Sequence, residues 1–327
     1  MTTSSPVSGS PLSGKLVTLF GGSGFIGNHV AQKLLARGAR LRIASRNPER
    51  AHSLKPLANL GQLQFVPCNL THETSVAAAL AGASHAVNLV GVFTGDLDAV
   101  MAEGAGRLAR LSKTAGIEAL VHVSAIVPGA ESGVAYARAK AAGEERVMAE
   151  FPEATILRPS IVFGEDDNFL NMFGSMIELA PVLPVFAPEA KLQLVYVDDV
   201  AEAIVTALEH PELHGGHTYE LGGPEQISMM ELNQRIAAAQ GRTRRFIAMP
   251  DTLSAIFASL PGTPMSRDQW ALLKPGNVVA EGARGFAELG IAPRPLGLFL
   301  DKWMLRFRKH GRFGLANERA KARKAGG

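Results

Sequence analysis

From Lys15 onward, short apolar runs alternate with stretches of helical periodicity, and this alternation predicts an α/β fold. The expected architecture is a doubly wound parallel sheet with helices on both faces and a smaller, interleaved C-terminal region. Two further observations point the same way. A glycine-rich turn stands between the first apolar run and the first amphipathic segment, and 327 residues with 46% hydrophobic content can bury a large core. A single cysteine, Cys68, excludes an intramolecular disulfide and any cysteine-rich zinc site, and no metal site is expected.

The strands expected are Leu16 to Phe20, Leu41 to Ser45, Leu63 to Cys68, His85 to Val90, Leu120 to Ser124 and Thr155 to Leu157, together forming a domain over residues 15–160. Between the first two, Ile26, Val30 and Leu34 recur at a spacing of four, which lays one apolar stripe along a helix, and Gly38 is placed to cap its C-terminus. After residue 160 the period loosens. Residues 161–300 read as a substrate or partner region, in which Ser228 and Glu231 spell a capping box that starts a helix.

Residues 1–14 are mostly Ser, Thr, Pro and Gly and are expected to be a disordered lead-in, neither a secretory signal nor a transit peptide. The most apolar later stretch, Phe169 to Phe186, is broken by Asn171, Glu178, Pro181 and Pro184, so no span is expected there. The formal charge of +3 conceals an asymmetry. The basic tail, residues 301–327, holds nine Lys and Arg. From 302 onward these face one acid, Glu318, a balance of +8 that leaves −5 for the rest. The tail, with Trp303, Leu305 and Phe307 among its cations, can lie on an anionic membrane surface or against a larger protein. The other reading is a helix that packs Trp303 and Leu305 on the body. No zinc finger, basic zipper or aromatic RNA motif is present, so nucleic acid is not an expected partner.

The turn Gly21-Gly22-Ser23-Gly24-Phe25-Ile26-Gly27 follows a strand and opens a helix, the context in which glycines cradle a pyrophosphate. Gly21 permits the tight turn, Gly24 lets backbone approach the ligand, and Gly27 allows close packing. Amides at the helix N-terminus are offered to phosphate, so a Rossmann-like dinucleotide site is expected from Gly21, Ser23, Gly24, Phe25, Ile26 and Gly27. About twenty residues on, the chain reads Ser45-Arg46-Asn47-Pro48 where an NAD enzyme would carry a carboxylate. Arg46, with Ser45 donating, can bind a 2′-phosphate, which favours NADPH. Asn69 is placed either to bond an adenine edge or to shape a turn.

Tyr136 and Lys140 lie four apart on an expected helix and share a face. An ammonium close to a phenol lowers the Tyr pKa and makes a general acid or base for carbinol–carbonyl interconversion, while the Lys also reaches ribose hydroxyls. Phe169, Met172, Phe173 and Met176 are candidates for an apolar substrate pocket or for plain core.

The glycine turn, the Tyr136/Lys140 pair, Leu157-Arg-Pro-Ser-Ile-Val-Phe-Gly164 and Tyr196-Val-Asp-Asp-Val-Ala201 together resemble the extended short-chain dehydrogenase/reductases. Leu54 to Phe65, Val87-Asn-Leu-Val-Gly91, Arg158 to Asn171 and Val195-Tyr-Val-Asp198 carry a narrower resemblance. They are similar to the family of the NADPH-binding thirty-nine-kilodalton accessory subunit of respiratory complex I and its bacterial relatives, over roughly Lys15 to Arg308. That resemblance implies NADPH held tightly by Gly21, Gly24, Gly27 and Arg46, without redox turnover. It also implies a partner among respiratory or quinone-biosynthesis complexes, and a cytoplasmic location, peripheral on the inner face of the cytoplasmic membrane. One departure bears on activity: where active relatives place a Ser or Thr after the fifth strand, Val123-Ser124-Ala125-Ile126 puts Ala125. Two functions follow, an NADPH-binding accessory or assembly protein, or an NAD(P)H-dependent reductase or epimerase acting on an apolar, quinone-related substrate.

Overall fold

The computed structural model describes residues 9–128, 133–252, 254 and 267–308. Seven parallel strands form the main sheet: β1 (Leu16–Phe20), β2 (Arg40–Ser45), β3 (Leu63–Pro67), β4 (His85–Asn88), β5 (Ala119–Val123), β6 (Thr155–Pro159) and, much later in the chain, β11 (Thr218–Leu221). Their order is β11-β6-β5-β4-β1-β2-β3. β1 pairs with both β2 and β4, so the strand order reverses there and a crevice opens beyond their C-terminal ends.

Strand alternation divides the core between the two faces. Phe20, Ala44, Ala86, Leu120 and Ile156 pack with Val76, Ala79 and Leu80 of α2 (Glu73–Leu80), Leu108 of α3 (Gly104–Thr114) and Val147 of α4 (Ala135–Glu150). Beside the sheet, α1 (Phe25–Ala36) packs against α6 (Val197–Glu209), and Val30, Leu34, Ile204 and Val205 are fully buried. Lys33 and Arg37 of α1 pair with Glu202 of α6 along this seam. Gly38 follows α1 at φ +79°, and its N–H bonds the Leu35 carbonyl, a left-handed C-terminal cap.

The expected strands form, with shifted ends that have local causes. β4 stops at Asn88 because the Asn88 side chain accepts from the Val90 N–H at 3.1 Å and turns the chain out. β6 runs two residues further than expected: Pro159 donates no hydrogen bond, but its carbonyl accepts from the Ile126 N–H. Part of the segment expected as a lead-in packs on the fold: Leu12 is fully buried and Ser10 Oγ donates to Glu209 at 2.7 Å.

The chain divides into two units, both discontinuous. Residues 197–222 and 279–293, expected in the C-terminal region, belong to the first unit, to which they contribute α6 and β11. The second unit comprises 161–196, 223–278 and 294–327. Within it, α5 (Asn168–Leu179), β8 (Val182–Val185), α8 (Met229–Ala239), β13 (Arg245–Ala248) and a C-terminal helix, Gly297–Trp303, surround a core that includes Leu170, Ile177, Leu183, Leu232 and Trp303. Ser228 caps α8 by accepting from the Glu231 N–H, while the Glu231 carboxylate turns to Arg235, so half of the expected capping box forms. Phe169, Phe173 and Met176 pack against this core. Trp303 and Met304 are buried, so the packed reading of that segment holds through Phe307, and residues 309–327 lie outside the described part. Among the described residues no helix is long and apolar enough to cross a membrane.

Candidate dinucleotide site

β1 delivers the glycine turn into the crevice, and the turn tolerates little else. Gly21 sits at φ +79°, and a Cβ there would come 3.1 Å from the backbone of Leu89. A Cβ on Gly27 would meet the Gly22 backbone at 2.6 Å, so Gly27 lets α1 close on its own turn rather than on a strand. Gly24 is the N-cap of α1, with no side-chain cap bond, and the first turn holds no acid. An uncapped twelve-residue helix with free first-turn amides suits a pyrophosphate.

A cleft of about 290 Å³ opens at this point, lined by Gly21, Ser23, Gly24, Ser45, Arg46 and Asn69 among others. Phe25, Ile26, Gly27, Tyr136 and Lys140, also expected at the nucleotide, do not line it. Ser23 Oγ donates to Ser45 Oγ at 2.9 Å and ties the turn to the end of β2. Asn69 Oδ1 accepts from the Thr71 N–H at 3.1 Å, so the residue both shapes a turn and borders the cleft. Sequence reasoning missed Arg50 and Asn47, which also border it. The signal for Arg50 was its spacing of four from Arg46, on the short helix Pro48–Leu57 after β2. Both arginines are exposed and free of ion pairs among the described residues, which gives the cleft two cations at the place where a ribose phosphate would lie. The residues present therefore fit a nicotinamide dinucleotide.

Tyr136 and Lys140 both lie on α4, but the coupling expected between them is absent. The buried Lys140 Nζ donates to the Val123 carbonyl at the end of β5, at 3.1 Å, and no hydrogen bond joins it to Tyr136. Burial pushes the ammonium down to about 8, with Glu144 one turn on opposing the shift. The Tyr136 phenol is pushed up by burial to about 12, opposite to the lowering expected from a nearby ammonium. Phe93 accounts for part of that burial: its ring stacks on Tyr136 at 4.6 Å and 11°. Nothing in the sequence singled out Phe93, which stands in a loop between Gly91 and Gly95.

Polar groups crowd beneath this pair. Arg158 donates to both oxygens of the Glu144 carboxylate and pairs with Glu220 at 3.5 Å, fixing α4 against the β6–β11 edge. Because Asn88 Oδ1 accepts from Val90, its amide donates to His122 Nδ1 at 3.0 Å, which assigns the ring proton to Nε2. Burial, reinforced by the Lys140 charge, holds this histidine neutral down to about 3. Ser124 is buried directly after β5 with its Oγ unpartnered among the described residues, and Ala125 follows it.

An open sheet with a glycine turn and an uncapped helix at its switch point defines a nicotinamide-dinucleotide-binding Rossmann protein. The chain matches the model of the NAD dependent epimerase/dehydratase family over residues 17–222 and belongs to that family. Among its relatives is the mitochondrial NADH dehydrogenase (ubiquinone) 1 alpha subcomplex subunit 9. The Mus musculus protein is 31% identical, over 88% of this chain and 79% of its own length. The Arabidopsis thaliana protein is 30% identical, over 92% and 80%. In fold, the chain resembles the UDP-glucose 4-epimerase of Thermotoga maritima, with a TM-score of 0.67, 18% identity and coverage of 90% of this chain and 99% of that one.

Proposed function

We propose that this protein is an NADPH-binding accessory or assembly protein of quinone-linked respiratory machinery, and that it holds its nucleotide rather than turning it over. The observation that carries the reading is the state of the Tyr136–Lys140 pair. The phenol is covered by Phe93 and holds its proton to about 12, and the Lys140 ammonium is spent on a strand carbonyl instead of polarising the tyrosine. Ala125, where active relatives are expected to carry a hydroxyl, supports the same conclusion. The names of the mitochondrial relatives supply the respiratory setting.

Arg46 and Arg50 at the cleft favour the 2′-phosphate of NADPH over the bare hydroxyl of NADH, with Ser45 as a further donor. The glycine turn and the N-terminus of α1 would hold the pyrophosphate, and Tyr136 and Lys140 would serve as ribose and nicotinamide ligands. Bound NADPH brings a transferable hydride, but its use here is structural: a ligand that binds only the folded state stabilises it by mass action. The protein would act at the inner face of the cytoplasmic membrane.

The rival reading, a reductase or epimerase for an apolar, quinone-related substrate, draws on the buried Ser124 hydroxyl beside the Val123 carbonyl that Lys140 binds. The test of the partner is sedimentation of detergent-solubilised membranes that contain the tagged protein. Comigration with NADH:quinone oxidoreductase activity is expected. Sedimentation at the monomer position, with that activity intact in a heavier fraction, would overturn the proposal.

A further inference from the structure

In the second unit, β8 and β13 pair as a two-stranded parallel ribbon in the register Val182↔Arg245, Leu183↔Phe246, Pro184↔Ile247 and Val185↔Ala248. Leu183 and Val185 are 2% exposed and face the core, so alternation turns Val182, Pro184, Arg245 and Ile247 outward together. Val182 and Ile247 are 44% and 47% exposed, and Leu179, at the end of α5 just before β8, is 84% exposed. From Leu179 to Pro188 the chain carries no charged residue. The apolar stretch that is too broken to span a bilayer thus presents one apolar face to solvent, a feature that calls for an occupant.

At the far end of this face Glu189 follows the apolar stretch, and Asp251, three residues past β13, pairs with Lys274 at 2.9 Å. At the near end Arg242, Arg244 and Arg245 stand with the Glu178 carboxylate. Arg242 approaches that carboxylate at 3.5 Å and donates to the Phe307 carbonyl at 3.0 Å, and Arg244 donates to the carbonyls of Ile177 and Glu178. Arg245 stands on the outward face itself. The C-terminal chain leaves from the same place: Arg308 Nε donates to the carbonyl of Ala239, six residues before β13 begins. The residues that follow, 309–327, carry six cations (Lys309, Arg312, Arg319, Lys321, Arg323, Lys324) against Glu318.

From this arrangement we infer that the outward face of the β8–β13 ribbon is a docking surface for an anionic phospholipid membrane. Leu179, Val182 and Ile247 enter the interfacial layer, Arg245 meets headgroup phosphate, and the net positive charge of residues 309–327 adds long-range attraction. The inference rests on the peripheral location proposed above but not on the nucleotide or the respiratory partner. It places the primary contact on the folded body, where the sequence pointed to the tail alone.

The test is co-sedimentation of the full-length protein with vesicles of phosphatidylcholine alone or mixed with phosphatidylglycerol, at low and high salt. Wild type is expected to pellet with the mixed vesicles at low salt and to remain in the supernatant with phosphatidylcholine vesicles. Val182→Asp with Ile247→Asp should lower partition at least tenfold. Arg245→Glu removes one cation and adds an anion, and should lower it about fivefold or more. Unfolding followed by the fluorescence of the chain's two tryptophans, Trp270 and Trp303, both in the unit that carries the substitutions, reports that each variant is folded. Partition of the Asp variants equal to wild type would assign binding to the tail and overturn the inference, as would failure of wild type to bind mixed vesicles. A concentration-dependent dimer that the same substitutions dissolve would also overturn it, giving the face to a second copy of the chain. Comigration with the respiratory activity is read separately, so loss of one result leaves the other standing.

Discussion

Replacing Arg46 by alanine tests the nucleotide assignment through a difference rather than a loss. Arg46 and Arg50 border the cleft without acidic partners among the described residues, so neither must abandon an ion pair to bind a phosphate. A hydrogen bond to a charged group contributes about 1.5–3 kcal/mol, and the exposure of both side chains argues for the lower end. About 1.4 kcal/mol is a factor of ten. Arg46→Ala should therefore weaken NADPH about tenfold, and the double variant with Arg50→Ala about a hundredfold if the two act independently. NADH, which has no 2′-phosphate, should change less than about twofold. Calorimetric titration of both nucleotides into wild type and the variants reads the numbers directly. Equal loss for NADPH and NADH would remove the phosphate role from these arginines.

Three further outcomes are expected. Gly27→Ala forces a Cβ to within 2.6 Å of the Gly22 backbone, so chemical denaturation should show a loss of about 1–3 kcal/mol, accompanied by weaker nucleotide binding. Lys140 titrates near 8 in the fold and higher in the unfolded chain, so between those values the unfolded chain holds the extra proton and stability rises with pH. Urea midpoints from pH 8 to 10 should climb in wild type and flatten in Lys140→Met, and identical slopes would contradict the buried ammonium. Phe93→Ala uncovers Tyr136, whose value near 12 stems from burial, so ultraviolet titration should find a phenol that ionises closer to 10.

The main sheet was legible in the sequence because each strand is a short apolar run bounded by turn residues, and the glycine turn marked the switch point. Strand β11 was not: Thr218–Leu221 is four residues long, follows the second region in the chain, and is recruited to β6 only by the return of residues 197–222 to the first unit. The cleft residues Gly21, Ser23, Gly24, Ser45 and Arg46 could be named from spacing, since spacing fixes which backbone atoms meet a phosphate. Spacing also put Tyr136 and Lys140 on one helix, but it could not show where an ammonium finds its hydrogen bond. The Val123 carbonyl and the Phe93 ring come from β5 and from a loop after β4, and their approach to α4 is a property of packing. Trp303 was ambiguous for a related reason, because an aromatic among cations reads alike at a membrane and over a core. Here it belongs to the core.

The central claim is that the nucleotide is held and not consumed. The most direct measurement loads the purified protein with NADPH, adds a bacterial membrane extract, and follows nicotinamide fluorescence for wild type and Tyr136→Phe. The nucleotide is expected to stay reduced and bound in both. Oxidation by wild type that Tyr136→Phe loses would contradict it and establish an enzyme with Tyr136 at its catalytic centre.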